Sequence, residues 1–151
     1  MHNAIRMVEA ASSSYAIRLA GLWIAWLLVM LFHVELGLMP LFHGLSVAIQ
    51  SEVPAKRVSQ LFLAMLFYFL IPVFAMLIAV HAIADPGGWS ASPDWRAGQF
   101  WLSLIYSITN VIHLVADIQI PDSRGDQVIL MAILTLIGLL INQQSWAWWQ
   151  G

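Results

Sequence analysis

The stretch from Val58 to Ala84 contains no Asp, Glu, Lys or Arg, and that absence decides which solvent the chain must meet. An α-helix rises about 1.5 Å per residue, so roughly 20 apolar residues cross the hydrocarbon core of a bilayer. Three further runs have the same character. Leu19 to Met39 is interrupted only by His33 and Glu35, Ala97 to Ala116 carries no charge, and Gln127 to Trp149 is again uncharged. The pattern predicts an all-α, integral membrane four-helix bundle with spans at about 19–39, 58–84, 97–117 and 127–149.

Composition agrees. Of 151 residues, 61% are hydrophobic and 9% are charged, where a soluble domain of this size carries about 25% charged residues. Too little polar surface remains to cover a water-facing sphere, so lipid must solvate much of the outside. The length suits one membrane domain over 1–151. A formal net charge of -2 argues against a nucleic-acid partner. The absence of cysteine removes disulfide exchange, thiolate nucleophiles, Fe–S clusters and thiolate-bound metals. It also removes the chemistry of four-helix disulfide-generating oxidoreductases. Arg6 and Arg18 precede an apolar run long enough to span, so the first span is expected to be retained rather than cleaved. The expected setting is a multi-pass protein of an inner (cytoplasmic) membrane.

Breakers separate the spans. Pro40 and Gly44 mark the end of the first, Pro54, Lys56 and Arg57 precede the second, Asp85-Pro86-Gly87-Gly88 and Pro93 make a loop, and Pro121 to Gly125 makes a tight turn. Pro72 inside the second span predicts a kink. Met1 to Ser14 reads as a short interfacial helix frayed by its serines, and Leu41 to Ile49 as an interfacial or re-entrant continuation.

An up-down threading places both termini at one end of the bundle, here the A end, with the loop from Gly87 to Trp95. All eight tryptophans then fall toward the A end, which predicts a one-sided aromatic belt or a docking surface for another subunit. Arg6, Arg18 and Arg96 lie at the A end and Lys56, Arg57 and Arg124 at the B end. Counting only the residues close to spans leans the B end toward the cytoplasm.

Ionisable groups within spans are costly and turn toward the bundle interior. In the third span Tyr106, Asn110, His113 and Asp117 follow +4, +3, +4 spacing and share one helical face. In the first, Trp26, Met30, His33 and Gly37 repeat that spacing, while Glu35 lies about 200° around from His33 on a regular helix. Antiparallel threading brings His33, His113 and Asp117 to one depth near the B end, with Glu35 and His43 nearer the surface. His81 and Asp85 form a second His-x-x-x-Asp pair near the A end.

Three readings of this cluster stay open. Two imidazoles from facing helices can hold haem b as axial ligands. Imidazoles with carboxylates (His33, His113, Asp117, Glu35 and His43) can bind a transition metal, supported by Asn110 and Tyr106. The same groups can relay protons, or can simply hydrogen-bond as interhelical glue. At the level of the whole protein, the rivals are a non-catalytic accessory subunit and a small proton- or ion-coupled transporter acting as an oligomer. Association with itself or with a larger membrane complex is expected. No phosphate loop, Ser-His-Asp arrangement or His-Glu-x-x-His helix is present.

Overall fold

A computed structural model describes residues 2–45, 54–119 and 124–151, with the side chains of all these except residues 2–9, 55 and 56. Four helices make up the fold: α1 (His2–Phe42), α2 (Ala55–Ala84), α3 (Pro93–Gln119) and α4 (Gly125–Gln150). A short 3-10 turn, Trp89–Ala91, lies between α2 and α3. All four are long and apolar enough to cross a membrane. The chain is an up-down membrane bundle with both termini at the A end, where the Trp148 indole Nε1 of α4 donates to Ser12 Oγ of α1 at 3.0 Å.

Helices α2, α3 and α4 extend over their apolar runs with a few residues added, while α1 starts well before its own. No separate interfacial helix forms there, and α1 is continuous from His2. The serines do not fray it, because Ser12 is buried at the hub of an A-end network. It accepts from Trp148 and from Arg96, whose Nη2 lies 3.2 Å away. Arg96 also donates to the carbonyls of Ala91 and Trp148, at 2.8 and 3.4 Å, and so satisfies an orphan carbonyl in the last turn of α4. At its other end α1 runs past Pro40 and stops at Gly44, whose φ of 69° only glycine adopts readily. Leu45 N–H donates to the Pro40 carbonyl and Gly44 N–H to that of Leu41, closing a Schellman turn. The re-entrant segment expected over 41–49 lies beyond residue 45 outside the described residues, as does most of the expected turn over 121–125. The start of α3 is set locally: Ser92 Oγ accepts from Trp95 N–H at 3.3 Å, with Pro93 at the first helical position.

The interior is built from repeating three- and four-residue steps. On α1 the buried face is Ser12, Ala16, Leu19, Trp23, Trp26, Met30 and His33; on α4 it is Met131, Leu134, Gly138, Ile141, Ser145 and Trp148. Helices with this period meet at shallow angles along a shared seam. On α3 the buried side chains are Gln99, Ser103, Tyr106, Ser107, Asn110 and Asp117, every one of them polar or hydroxyl-bearing. A helix in lipid inverts the soluble pattern, because no water outside competes for its polar groups. Close packing of α3 on α4 depends on Gly138, where a Cβ would come 2.9 Å from Ser107 Oγ and 3.0 Å from the Asn110 side-chain amide. Asn142 donates to Ser107 Oγ at 2.9 Å one turn away.

The tryptophans do not form one belt. Trp23, Trp26 and Trp148 are fully buried in the bundle interior, while Trp89, Trp101 and Trp146 are exposed. Trp23 and Trp26 stack edge-on against Tyr106, with centroids 5.8 and 5.4 Å away. The belt expectation is thus corrected for the three buried rings: Trp26 donates to Asn110 of α3 and Trp148 to Ser12 of α1, while Trp23 Nε1 is buried without a hydrogen-bond partner.

Helix α4 packs closely on α1 and α3, and α1 on α2. The α2 face toward α1 is small, with Pro72, Ala75, Ala79 and Ala82 all buried, which lets the backbones approach. Between α2 and α3 the contact is made by long side chains, chiefly Tyr68 with Thr109 and Tyr106.

Candidate functional site

His33 occupies the next step of the α1 buried face below Met30, and its side chain is nearly enclosed. Gln127 at the start of α4 donates from Nε2 to the His33 carbonyl at 3.0 Å. Gly37, one turn below His33, faces that amide, and a Cβ there would make ordinary contact with Gln127 Oε1 at 3.6 Å. From α3, His113 and Asp117 reach the same level. His33 Nε2 is 3.7 Å from Asp117 Oδ2, and His113 Nε2 is 3.8 Å from Asp117 Oδ1. The two imidazoles meet edge to face, with centroids 5.1 Å apart at 88°. One donor atom from each of His33, His113 and Asp117 falls within 4.8 Å of the others, and among the described residues this is the one such trio of His, Asp or Glu.

Exposure is uneven across the trio. The His33 and Asp117 side chains are 8% and 11% exposed, whereas that of His113 is 46% exposed. The site is therefore walled on the α1 and α4 side and open at His113. His33 Nδ1 and Asp117 Oδ2 are buried without a hydrogen-bond partner.

The other residues singled out by the sequence fall elsewhere. Glu35 is exposed on the far side of α1 from His33, as a regular helix requires, and Gly37 and Pro40 do not bring the two together. His43 is exposed in the last turn of α1. At the A end His81 Nδ1 lies 2.9 Å from Ser90 Oγ, its ring beside Trp89, and Asp85 contributes its backbone N–H to the His81 carbonyl as α2 ends. Among the described residues His81 and Asp85 make no ion pair with each other.

Asn110 and Tyr106 lie above the trio on the same α3 face, but their hydrogen bonds run to other groups. With the Asn110 amide oriented so that its oxygen meets Trp26, indole Nε1 donates to it at 3.0 Å and the amide nitrogen donates to the Tyr106 carbonyl at 3.3 Å. The opposite orientation would offer only a 3.4 Å contact to the Leu134 carbonyl. Tyr106 Oη donates to the Tyr68 carbonyl at 2.7 Å. Together these form an aromatic and amide layer that closes the site from above. Gln127 and Tyr68 escape a reading based on ionisable residues. The signal for Gln127 was its position opposite Gly37, and for Tyr68 its position four residues before Pro72.

Two imidazoles and one carboxylate thus converge from two helices near the B end of the bundle. Compared with known proteins, the chain matches no family model, no curated protein and no solved structure.

Proposed function

We propose that this small membrane protein holds one divalent transition-metal ion between α1 and α3, with His33, His113 and Asp117 as its ligands. The spacing of the trio supports this reading. Contacts of 3.7 and 3.8 Å are too long for hydrogen bonds, which fade beyond about 3.2 Å. They are close to the roughly 3.4 Å that separates two ligands of a tetrahedral ion with metal–donor bonds of about 2.1 Å. Interhelical glue would draw the groups closer than they stand. With one donor atom from each residue the trio spans up to 4.8 Å, so closing it onto an ion takes a shift of about an ångström at its widest pair.

Haem b suits the arrangement poorly. Its axial imidazoles must stand on opposite faces of a porphyrin plane, whereas both Nε2 atoms here turn toward the same carboxylate. Two imidazoles and one carboxylate are a donor set for iron(II), zinc or a neighbouring divalent ion, and three protein ligands leave coordination positions free. When bound, such an ion supplies a Lewis-acid or redox centre within the membrane. The chain's own part is to fix the ligands: Gln127 anchors the α1 backbone at His33, and the Trp26–Asn110–Tyr106 layer keeps the A half of the bundle closed above them.

The test is elemental analysis of protein purified without chelator from cells grown with zinc, iron, manganese and cobalt. One ion per chain is expected, lost in His33→Ala, His113→Ala and Asp117→Asn and kept in Glu35→Gln and His43→Ala. Metal-free protein that takes up none of these ions when they are added back would overturn the reading.

A second reading, of an accessory subunit that docks through its A end, draws on a different observation. Phe100, Trp101, Trp146 and Trp149 form a contiguous aromatic group across α3 and α4, with centroids 5.1–5.7 Å apart. Trp101 and Trp146 in it are 55% and 47% exposed. Loss of a co-purifying partner on changing Trp146 and Trp149 to Ala would favour docking over plain anchoring.

A further inference from the structure

The α2 face toward the bundle changes character half way along. From Pro72 to Ala82 it is small and buried. Continued toward the B end at the same spacing, it passes through Tyr68, Met65, Leu61 and Arg57. Burial does not continue with it. Every side chain from Ser59 to Phe67 is exposed, including Met65 at 40% and Leu61 at 52% on the inward face. A helix uncovered on the side toward its own bundle stands off from it, so an apolar cleft separates the lower half of α2 from α1 and α3.

Thr109 shows which wall faces this cleft. Its Oγ1 is 3.1 Å from Tyr68 Oη, and His113 follows one turn later on the same side of α3. The exposed edge of His113 therefore belongs to the cleft wall. Half-buried Tyr68, Phe69 and Leu70 close it toward the A end. At its B end stands Arg57, exposed and with no carboxylate in ion-pair range among the described residues.

We propose that this cleft seats an acyl chain of one anionic phospholipid, with the phosphate on Arg57 and the chain along Leu61 and Met65 toward Tyr68. A guanidinium pairs with phosphate through two parallel hydrogen bonds, and a cation at the membrane surface favours anionic lipid. Leu61 to Tyr68 spans about 10 Å of helix, a stretch of hydrocarbon without a polar group on the inward face until the Tyr68 hydroxyl. A two-fold pair of chains joined through this face would set Arg57 near its own copy, which repels. The site does not depend on a bound metal, but it lays the lipid chain against His113.

The full chain, delipidated and then offered equal amounts of phosphatidylglycerol and phosphatidylcholine with identical acyl chains, tests this by native mass spectrometry. Phosphatidylglycerol is expected to be retained about fivefold over phosphatidylcholine, the ratio one interfacial cation supplies. Arg57→Gln should bring the two lipids to parity. Leu61→Trp with Met65→Trp, which fill the cleft, should lower retention of both, and Met65→Gln serves if that pair does not fold. Inorganic phosphate should fail to displace the lipid, since it has no chain to seat. Parity in the unaltered protein, an unchanged ratio in Arg57→Gln, or displacement by phosphate would overturn the proposal. So would a lipid-free dimer that the cleft substitutions dissociate, which would give this face to a second copy.

Discussion

The hydroxyl of Tyr106 donates to the carbonyl of Tyr68 at 2.7 Å, and that carbonyl is the one Pro72 leaves without an amide. In a helix the Tyr68 carbonyl would accept from the residue four positions on, and proline there has no N–H. Without water to substitute, the orphan acceptor is satisfied from α3, which ties two helices that do not otherwise pack closely.

This pairing predicts a specific non-additivity. Tyr106→Phe should destabilise the bundle by about 1–2 kcal/mol, since it strands a buried acceptor. Pro72→Ala restores the backbone donor, so adding it to Tyr106→Phe should recover part of that loss. Unfolding in mixed micelles measures the cycle. Purely additive losses would show that the hydroxyl and the missing amide are unrelated.

Metal binding should also stabilise the fold. An ion that binds only the folded site adds about 2.7 kcal/mol at a hundredfold excess over its dissociation constant. Thermal unfolding with and without added zinc or cobalt should show an upward shift that disappears in Asp117→Asn. The shift should fade on acidification, because both imidazoles must be neutral to bind. An equal shift in Asp117→Asn would place the ion elsewhere.

Gly138→Ala should cost about 1–3 kcal/mol by overpacking. Its new methyl would meet Ser107 Oγ at 2.9 Å and the Asn110 amide at 3.0 Å, and both groups are held by other hydrogen bonds. The same measurement on Gly21→Ala, where a Cβ meets nothing within 4 Å, provides the control and should be neutral or mildly stabilising.

At the A end, Ser12→Ala removes one acceptor shared by the Trp148 indole and Arg96. Hydrogen exchange should quicken for α1 amides around Ser12 while the lower half of the helix, near His33, stays protected. Uniformly faster exchange along α1 would mean that the network supports the whole bundle.

Much of this molecule was legible in its residues, and the reason is physical. Hydrocarbon excludes unpaired polar groups, so uncharged runs located the spans and the rare polar side chains located the interior. The depth argument that set His33, His113 and Asp117 at one level used only helix rise and alternating direction. What escaped was detail that hydropathy does not carry. Trp23 and Trp26 prefer interfaces as residue types, yet they share a helical face with Met30 and His33, and that spacing was the better guide. Serines from Ser12 to Ser14 lower hydropathy without breaking a helix when Trp148 and Arg96 take up the hydroxyl of Ser12. Nothing in an apolar run such as Ser59 to Phe67 reveals whether its inward face touches protein or lipid, since both are the same solvent to leucine.

The polar interior of α3 also bears on how the chain is made. α3 is the least apolar of the four, and a segment that presents glutamine, serine, asparagine and aspartate along one side is a poor solitary guest in hydrocarbon. Much of what covers that side is α4, which emerges from the ribosome after it. The two therefore gain by entering the bilayer as a hairpin, and a chain that stops before Gly138 would leave its third span with little hold on the membrane.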